Sequence, residues 1–255
     1  MLCSLVSGSS GNSSLVSYKG TNILVDCGMS GKRLEQLLSE LGLKVSDISA
    51  ILVTHEHIDH VSGVGVVSRR FNLPVYATCG THFAMDVGKM REENIKYIEP
   101  DRPFEIGEIA VNAFCIPHDA ADPVGYRFFC GEKKLAVATD IGIMTNEIFD
   151  SISGSESIIL EANHDIDMLK NGCYPPPLKS RILSNVGHMS NALAAKTALA
   201  LAKRGTKRIM LAHLSNENNT PALAYDTVSS ELTAAGALDG DLELLVANRY
   251  EVTQF

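Results

Sequence analysis

The sequence predicts an α/β protein in which helices cover layers of short strands. Strand-like and helical runs interleave from one end of the chain to the other, which is typical of layered α/β domains. A length of 255 residues suffices for one large domain or two small ones. Because the sequence has no repeat, low-complexity tract or long linker, we expect a single domain over residues 1–255.

The first half of the chain opens with strand-like runs joined by the Gly/Ser turn SGSSGN. A helix is expected over 31–41, where four leucines recur on one helical face. Strands are expected at 2–6, 14–18, 22–25, 50–53, 75–77, 108–115, 124–130 and 134–138, and helices near 61–71 and 81–90.

The second half continues the same alternation of helices and strands. Helices are expected near 144–151, 190–204 and 221–235, and strands at 157–160, 207–212, 242–246 and 249–253. The run YPPP at 174–177 predicts a stiff loop, because proline fixes its own φ and lacks a backbone donor.

Composition restricts the class of protein and its compartment. A formal charge of −8 argues against nonspecific adhesion to nucleic acid. The six cysteines lack CxxC spacing, so we expect buried free thiols rather than disulfides or a zinc knuckle. The N-terminus has no signal-peptide pattern, and the chain has no apolar run of about 18 residues or more. We therefore expect a cytoplasmic protein that does not bind membranes.

The segment VTHEHIDH at 53–60 places His55, His57, Asp59 and His60 within six positions. One interpretation is a polar loop that happens to be rich in histidine. The other is a metal site, because imidazole and carboxylate groups suit Zn²⁺, Mn²⁺ or Fe. A lone histidine pair would leave these readings evenly matched, whereas four potential ligands directly after a buried strand favour the metal site.

Three further residues each follow an apolar run: His118 after AFCIP, Asp140 after LAVAT and His213 after RIMLA. Any one of them alone would more often be a strand-end loop residue. Because strand ends of an α/β layer converge on one edge of the sheet, we expect all three to join the metal site.

This ligand order resembles the metallo-β-lactamase superfamily along the whole chain. The resemblance implies a four-layer αββα sandwich with a dinuclear metal site at one sandwich edge. It assigns His55, His57 and His118 to one metal, Asp59, His60 and His213 to the second, and Asp140 to both. His57 replaces the glutamate of the diiron oxygen-reducing branch, and Asp140 replaces the cysteine of common secreted β-lactamases. Redox chemistry and antibiotic hydrolysis are therefore disfavoured.

Asp26 in ILVDCG and Thr54 are expected to contact the metal ligands rather than the metals. An equally weighted alternative for Asp26 is an ordinary strand-end turn.

Longer stretches resemble the nuclease branch of the superfamily and, within it, the compact bacterial WalJ/YycJ-type proteins. They are SLVSGSSGNSSLV, YPPPLKSRILSNVGHMSN and LAHLSNENNTP. The resemblance implies a 5′-to-3′ DNA exonuclease whose nucleophile is a metal-bridging hydroxide. Glu161 would support the site, and His188 would contact the scissile phosphate or protonate the leaving group, with His164 as the reserve. Only about 47 residues separate Asp140 from His188, too few for the cap domain of larger members.

The charge distribution gives a separate indication of a polyanionic substrate. Residues 168–216 contain eight lysines and arginines and no acid. Lys179 and Arg181 are the phosphate candidates, together with His188. Lys196, Lys203 and Arg204 fit equally well as solvated or helix-capping residues.

Two other functions stay open at this point. The same metal site could hydrolyse a small molecule such as a cyclic phosphodiester, thioester or lactone. The chain could also be a regulatory or scaffold protein with a vestigial site, although the complete ligand set argues against loss of function. The sequence leaves the native metal and the oligomeric state undetermined.

Overall fold

The computed structural model describes residues 1–238, 240 and 242–255. These residues divide into two compact units. Unit 1 comprises Met1–Cys115, Ala120–Glu132 and Asn248–Phe255, and unit 2 comprises Ile116–Asp119 and Lys133–Ala247. The single domain expected over 1–255 stays a prediction.

Within the described part of unit 1, seven strands form one sheet. They are β1 (Leu2–Val6), β2 (Ser13–Tyr18), β3 (Thr21–Val25), β4 (Ala50–Leu52), β5 (Val75–Ala77), β6 (Ile95–Tyr97) and the last strand of the chain, β14 (Thr253–Gln254). The strand order is β14-β1-β2-β3-β4-β5-β6. The pairs from β14 to β3 are antiparallel and those from β3 to β6 are parallel. The carboxyl ends of β3, β4 and β5 therefore share one edge.

Helices cover one face of this sheet. They are α1 (Gly31–Glu40), α2 (Ile58–Val61), α3 (Val64–Phe71) and α4 (Cys79–Ala84). The leucines of α1 are buried in one core with Val64 and Val67 of α3 and with Ile51 and Val75 of the sheet. Burial of this apolar stripe holds the helices in place, since a short helix has little stability of its own.

Unit 1 also contains an antiparallel meander of β7 (Phe104–Ile106), β8 (Ile109–Cys115) and β9 (Val124–Cys130). Tyr126 and Phe128 of β9 are fully buried. The Tyr126 hydroxyl donates to the Val53 carbonyl oxygen at 2.8 Å. This bond joins the meander to the segment that follows β4.

Unit 2 contains a parallel array of β10 (Lys133–Ala138), β11 (Ser157–Glu161), β12 (Arg208–Ala212) and β13 (Glu243–Val246). Its helices are α5 (Asn146–Ile152), α6 (Ile166–Asn171), α7 (Pro176–Ile182), α8 (Asn191–Ala202) and α9 (Pro221–Ala234). The central strands β11 and β12 are mainly apolar and almost wholly buried, as expected of parallel strands covered by helices. The chain between Asp140 and His188 forms α5, β11, α6 and α7.

The structure corrects several expectations about element boundaries. The helix expected near 61–71 is broken into α2 and α3 at Gly63, where an added Cβ would lie 2.0 Å from the Met29 carbonyl oxygen. The helix expected at 81–90 ends at Ala84. Of the strand expected at 249–253, only Thr253 is in β14.

The proline run expected to form a stiff loop begins a helix instead. Pro176 and Pro177 occupy the first turn of α7. Proline is well tolerated there, because the amides of the first turn have no partner within the helix. Helix α6 and the strands β6 and β7 were not expected. Each of these two strands has only three residues, one of them charged, so neither forms an apolar run.

The expectation that the cysteines are buried is correct for three of the six. Cys3, Cys27 and Cys130 are buried free thiols, as expected. Cys79, Cys115 and Cys173 are free but exposed. Burial raises the pKa of Cys3 and of Cys27 to about 12, so these two thiols are inert. Among the described residues, none of the helices has the length and apolar character needed to cross a bilayer.

We predict that Gly28→Ala destabilises the protein strongly. A Cβ at position 28 would lie 1.7 Å from the Asp59 carbonyl oxygen and 2.7 Å from the Asn12 nitrogen. Backbone on both sides would have to move, so the free energy of unfolding should fall by about 2 to 4 kcal/mol. Urea denaturation measures this change. Gly31→Ala is the control, since its Cβ would meet only a Val67 methyl at 3.6 Å. Equal stability of the two variants would contradict the prediction.

Candidate metal centre

The histidine-rich segment follows β4 directly, at the edge where β3 also ends. Asp26 follows β3, and its side chain accepts two hydrogen bonds from Thr54. The Thr54 amide donates to Oδ1 and the Thr54 hydroxyl donates to Oδ2, each at 2.8 Å. Asp26 and Thr54 are therefore bound to each other beside the histidine segment. Their role in supporting metal ligands stays a prediction.

The same carboxylate orients His60. His60 Nδ1 lies 2.8 Å from Asp26 Oδ2, and both side chains are buried. An ionised carboxylate accepts only, so Nδ1 carries the proton and Nε2 presents its lone pair. Thr54 Oγ1 uses its proton on Asp26 and lies 3.0 Å from His55 Nδ1, which fixes His55 in the same tautomer. In both imidazoles, Nε2 is therefore the nitrogen whose lone pair can bind a metal ion.

Asn12 is a residue that the sequence did not single out. Its Nδ2 donates to Asp59 Oδ2 at 3.1 Å and lies 3.1 Å from His60 Nε2. Its backbone amide donates to the Asp59 carbonyl oxygen at 2.8 Å. The Gly/Ser turn therefore holds the histidine segment. Asparagine in such a turn is common, so residue type alone gave no signal.

The second group of polar side chains lies in unit 2, at the carboxyl ends of adjacent parallel strands. Asp140 follows β10, Glu161 ends β11 and His213 follows β12. His188 joins them from the segment before α8. One donor atom from each of these four side chains lies within 4.8 Å of the others. Folding thus brings together Asp140, His213, His188 and Glu161, which the sequence placed in one functional site.

Glu161 is the centre of this group and is 0 % exposed. Its Oε1 lies 2.8 Å from His188 Nδ1 and 3.0 Å from His213 Nδ1. Its Oε2 accepts from the amides of Ile141 and Met189, at 2.8 and 3.0 Å. Asp140 Oδ1 lies 3.2 Å from His213 Nδ1. One buried carboxylate therefore positions three segments of chain.

The electrostatic setting of Glu161 favours its charged form. Burial alone would raise the pKa of this carboxyl, but the charge and hydrogen bond of His188, together with those of His213, hold it well below its usual range. Glu161 is therefore ionised throughout the working pH range, and each histidine directs its Nδ1–H towards it.

His118 is buried at the start of unit 2. Its Nδ1 lies 3.1 Å from the Gly187 carbonyl oxygen, which leaves Nε2 as the donor atom, 3.9 Å from Asp140 Oδ1. Burial lowers the pKa of His118, against the opposing effect of the Asp140 charge. A neutral imidazole with a fixed tautomer is the form that binds metal ions.

His164 differs from the other histidines of unit 2. It is 1 % exposed, and neither ring nitrogen has a hydrogen-bond partner among the described residues. Burial lowers its pKa to about 4, with the Glu161 charge acting in the opposite direction. His164 is thus a neutral buried side chain, whereas the His188 side chain is 18 % exposed.

Asparagines that the sequence did not single out connect the segments around these histidines. Asn163 Nδ2 donates to the His213 carbonyl oxygen at 2.8 Å. Asn219 Nδ2 lies within hydrogen-bond distance of the carbonyl oxygens of Ala162 and Asn163 and of Asn191 Oδ1. All three asparagines are buried, so they fix the loops rather than meet solvent.

The two phosphate candidates already have protein partners. Lys179 Nζ donates to the carbonyl oxygens of Lys170 and Gly172, at 2.8 and 2.7 Å. The Arg181 guanidinium binds the Asp119 carboxylate through two nitrogens. Arg208, from the same acid-free stretch, lies near Glu156 and Glu243. Although residues 168–216 contain no acid, acidic side chains from elsewhere in the chain lie beside Arg181 and Arg208. A phosphate-binding role for Lys179 and Arg181 stays a prediction.

The donor sets of both units fit divalent metal ions. Each combines imidazole nitrogens with carboxylate oxygens, and each is largely buried with its tautomers fixed by neighbours. Such mixed sets suit Zn²⁺ or Mn²⁺, and Fe also fits. The assignment of His55, His57, Asp59, His60, His118, Asp140 and His213 as ligands stays a prediction.

The family model described as Beta-lactamase superfamily domain matches residues 21–214, and the chain belongs to this family. The sequence is 38% identical over 235 residues to Exodeoxyribonuclease WalJ of Streptococcus pneumoniae serotype 2, covering 91% of this chain and 87% of that protein. It is 41% identical over 234 residues to Exodeoxyribonuclease YycJ of Bacillus anthracis, covering 91% and 89%.

A solved structure shows the fold. The metallo-beta-lactamase fold protein YhfI from Bacillus subtilis superposes with a TM-score of 0.67 at 15% identity, over 99% of this chain and 98% of that one. The metallo-β-lactamase fold expected from the sequence is thereby confirmed.

We predict that Asp26→Asn weakens metal binding. An amide cannot accept from Thr54 and His60 as an ionised carboxylate does, so His60 loses its fixed tautomer. The affinity for Zn²⁺ should fall on the order of 10- to 100-fold, measured by calorimetric titration. The exposed Asp150→Asn is the matched control. Unchanged affinity in Asp26→Asn would refute the supporting role.

We predict that His164 makes the metal-free protein sensitive to mild acid. Its folded pKa of about 4 lies below the ordinary value of 6.5. The unfolded chain therefore takes up a proton at a pH where the folded chain does not, and stability present above pH 6.5 is lost as the pH falls towards 4. The loss between pH 6.5 and 4.5 should be about 2 kcal/mol larger in the wild type than in His164→Asn. Urea denaturation across this range tests the difference, and parallel curves would disprove it.

Proposed function

We propose that this chain is a divalent-metal-dependent hydrolase that removes nucleotides from the ends of DNA. The observation that carries the proposal is the buried set in which Glu161 holds His188 and His213 beside Asp140. Relatives named exodeoxyribonucleases, 38% and 41% identical over 91% of the chain, support the choice of DNA as substrate. The 5′-to-3′ direction rests on the resemblance of the sequence motifs.

Two divalent ions, Zn²⁺ or Mn²⁺, would be held by the seven predicted ligands. His55, His57 and His118 would bind one ion, Asp59, His60 and His213 the other, and Asp140 both. Such ions supply a hydroxide nucleophile near neutral pH and neutralise charge that develops on the phosphate. Asp26, Thr54 and Glu161 act through the ligands by fixing the direction of their donor atoms.

His188 is the proposed proton donor to the leaving oxygen. Glu161 holds its Nδ1–H, so Nε2 is the nitrogen that can face a substrate. A proton on Nε2 could then be transferred to the leaving oxygen. At 18 % exposure His188 can reach a phosphodiester, whereas His164 at 1 % is enclosed. His164 is accordingly the reserve candidate.

Lys179 and Arg181 would contact backbone phosphates of the DNA substrate. A phosphate reaching Arg181 would exchange with the Asp119 carboxylate, one anion for another. We place this activity in the cytoplasm. Exposed free thiols at Cys79, Cys115 and Cys173 support a reducing compartment.

We expect the purified protein with Mn²⁺ or Zn²⁺ to shorten labelled double-stranded DNA. Asp59→Ala should abolish this activity, and His188→Ala should reduce it on the order of 10²- to 10⁴-fold. Matched duplexes labelled at the 5′ or the 3′ end show the direction of degradation. An RNA of the same sequence shows whether the enzyme requires deoxyribose. Asp150→Ala is the control for removal of an aspartate.

A phosphodiester with a p-nitrophenolate leaving group separates the roles of the two residues. Such a leaving group needs little protonation, so His188→Ala should lose much less activity on it than on DNA. Asp59→Ala should lose activity on both. If the wild type leaves DNA and RNA intact but cleaves this small ester, the polymer substrate is wrong and small-molecule hydrolysis takes its place.

A further inference from the structure

The side chain of Asn12 contacts Asp59 and His60 at the atoms that are predicted to bind a metal ion. Its Nδ2 lies 3.1 Å from Asp59 Oδ2 and 3.1 Å from His60 Nε2. These two donor atoms are 3.5 Å apart. A tetrahedral ion about 2.1 Å from each of two ligands holds those ligands about 3.4 Å apart. The Asn12 amide is therefore bonded to a donor pair that has the spacing of a metal site.

The surrounding hydrogen bonds determine which end of the Asn12 amide faces this pair. The Gly8 amide donates to Asn12 Oδ1 at 2.9 Å, so the oxygen faces the turn and Nδ2 faces the donor pair. His60 directs its Nδ1 proton to Asp26, which leaves one lone pair on Nε2. The two hydrogens of Asn12 Nδ2 are thus donated to a carboxylate oxygen and to an imidazole lone pair.

A metal ion needs the same lone pair of His60. A neutral imidazole nitrogen has a single lone pair, so Nε2 can either accept the Asn12 hydrogen bond or bind an ion. Asp59 Oδ2 has a second lone pair and is not limited in this way. The amide and the ion therefore compete at His60.

The backbone of Asn12 is held independently of its side chain. Its amide donates to the Asp59 carbonyl oxygen at 2.8 Å, and its carbonyl oxygen accepts from the Gly28 amide at 2.9 Å. Truncation of the side chain removes the bonds to Gly8, Asp59 and His60. The two backbone bonds would still hold position 12 beside the histidine segment.

We propose that Asn12 is a positioning residue that competes with the metal ion for His60 and thereby makes that ion exchangeable. The inference rests on the proposed function, which assigns Asp59 and His60 to one ion. The Asn12 amide stabilises the donor pair by donating to both atoms, and binding of the ion costs the bond to His60. Occupancy of this site therefore follows the supply of divalent ions.

Titration of the chelator-treated protein with Mn²⁺ tests this competition. Mn²⁺ binds nitrogen and oxygen ligands more weakly than Zn²⁺, so that calorimetry can measure changes in affinity. Asn12→Ala is compared with the wild type and with Asn22→Ala. Asn22 is the matched control, because its buried side chain bonds to Ser17 and Asp47 near the amino end of β3.

Asn12→Ala should bind one of the two Mn²⁺ ions about 3- to 30-fold more tightly than the wild type. The other ion, whose predicted ligands do not include His60, should bind as before. Without Mn²⁺, the urea midpoint of Asn12→Ala should fall, since the donor pair loses its hydrogen bonds. Asn22→Ala should also lower the urea midpoint but leave both affinities unchanged. Weaker or unchanged binding of both ions by Asn12→Ala would overturn the proposal.

A second measurement follows the Asn12 amide directly. In protein labelled with ¹⁵N-asparagine, the Asn12 side-chain signal is the one that disappears in Asn12→Ala. Zn²⁺ is diamagnetic and should move the Asn12 amide protons upfield as the bond to His60 is lost. The Asn22 signal should stay in place. An Asn12 signal that does not move when Zn²⁺ binds would contradict the competition.

The two proposals fail in different ways. If affinity and amide signal change as expected while DNA stays intact, the competition at His60 stands and the nuclease function is wrong. If DNA is degraded but Asn12→Ala binds neither ion more tightly, the nuclease function stands and the competition is wrong. A wild type that binds no divalent ion would remove both.

Discussion

The pairing of a buried carboxylate with buried imidazoles is the interaction on which both units depend. Asp26 in unit 1 and Glu161 in unit 2 are 3 % and 0 % exposed. An ionised carboxylate is costly to bury unless hydrogen bonds and an opposing charge compensate it. Each of these two receives backbone amides as well as imidazole N–H groups. Because each buried carboxylate requires these hydrogen bonds, the loops that carry the histidines are held in one conformation.

Three residues that follow parallel strands share the same strained backbone conformation. Asp26, Asp140 and His213 have φ of 61°, 62° and 58°, in the left-handed region that non-glycine residues rarely occupy. Each immediately or closely follows a parallel strand, where the chain must turn while its side chain stays at the sheet edge. Such strain costs on the order of 1 kcal/mol or more per residue and persists only where surrounding bonds determine the conformation. The Asp26 amide, for example, is held by the Leu52 carbonyl oxygen at 2.7 Å.

The sequence could predict the main strands and the metal-type side chains, because both leave local signals. Buried parallel strands such as β11 are continuous apolar runs, and VTHEHIDH concentrates its ligands in a few positions. The strands β6 and β7 leave no such signal, because each has three residues of which one is charged. The prolines of α7 fit a loop and a helix start equally well. Asn12 and Asn219 could not be predicted, since their importance comes from distant chain segments that folding brings to them.

The charge distribution is a second property that the sequence predicts only in part, because folding places acids beside the basic residues. This affects how the chain would bind a polyanion. The acid-free stretch suggests a positive surface, yet Arg181 binds Asp119 and Arg208 lies near Glu156 and Glu243. With a net charge of −8, the protein offers little long-range attraction to DNA. Affinity for a nucleic acid would then have to come from short-range contacts, chiefly from bound cations at the phosphate. An acidic surface with a few such contacts favours a strand end that can be unpaired over the continuous duplex, which suits an enzyme that works from ends.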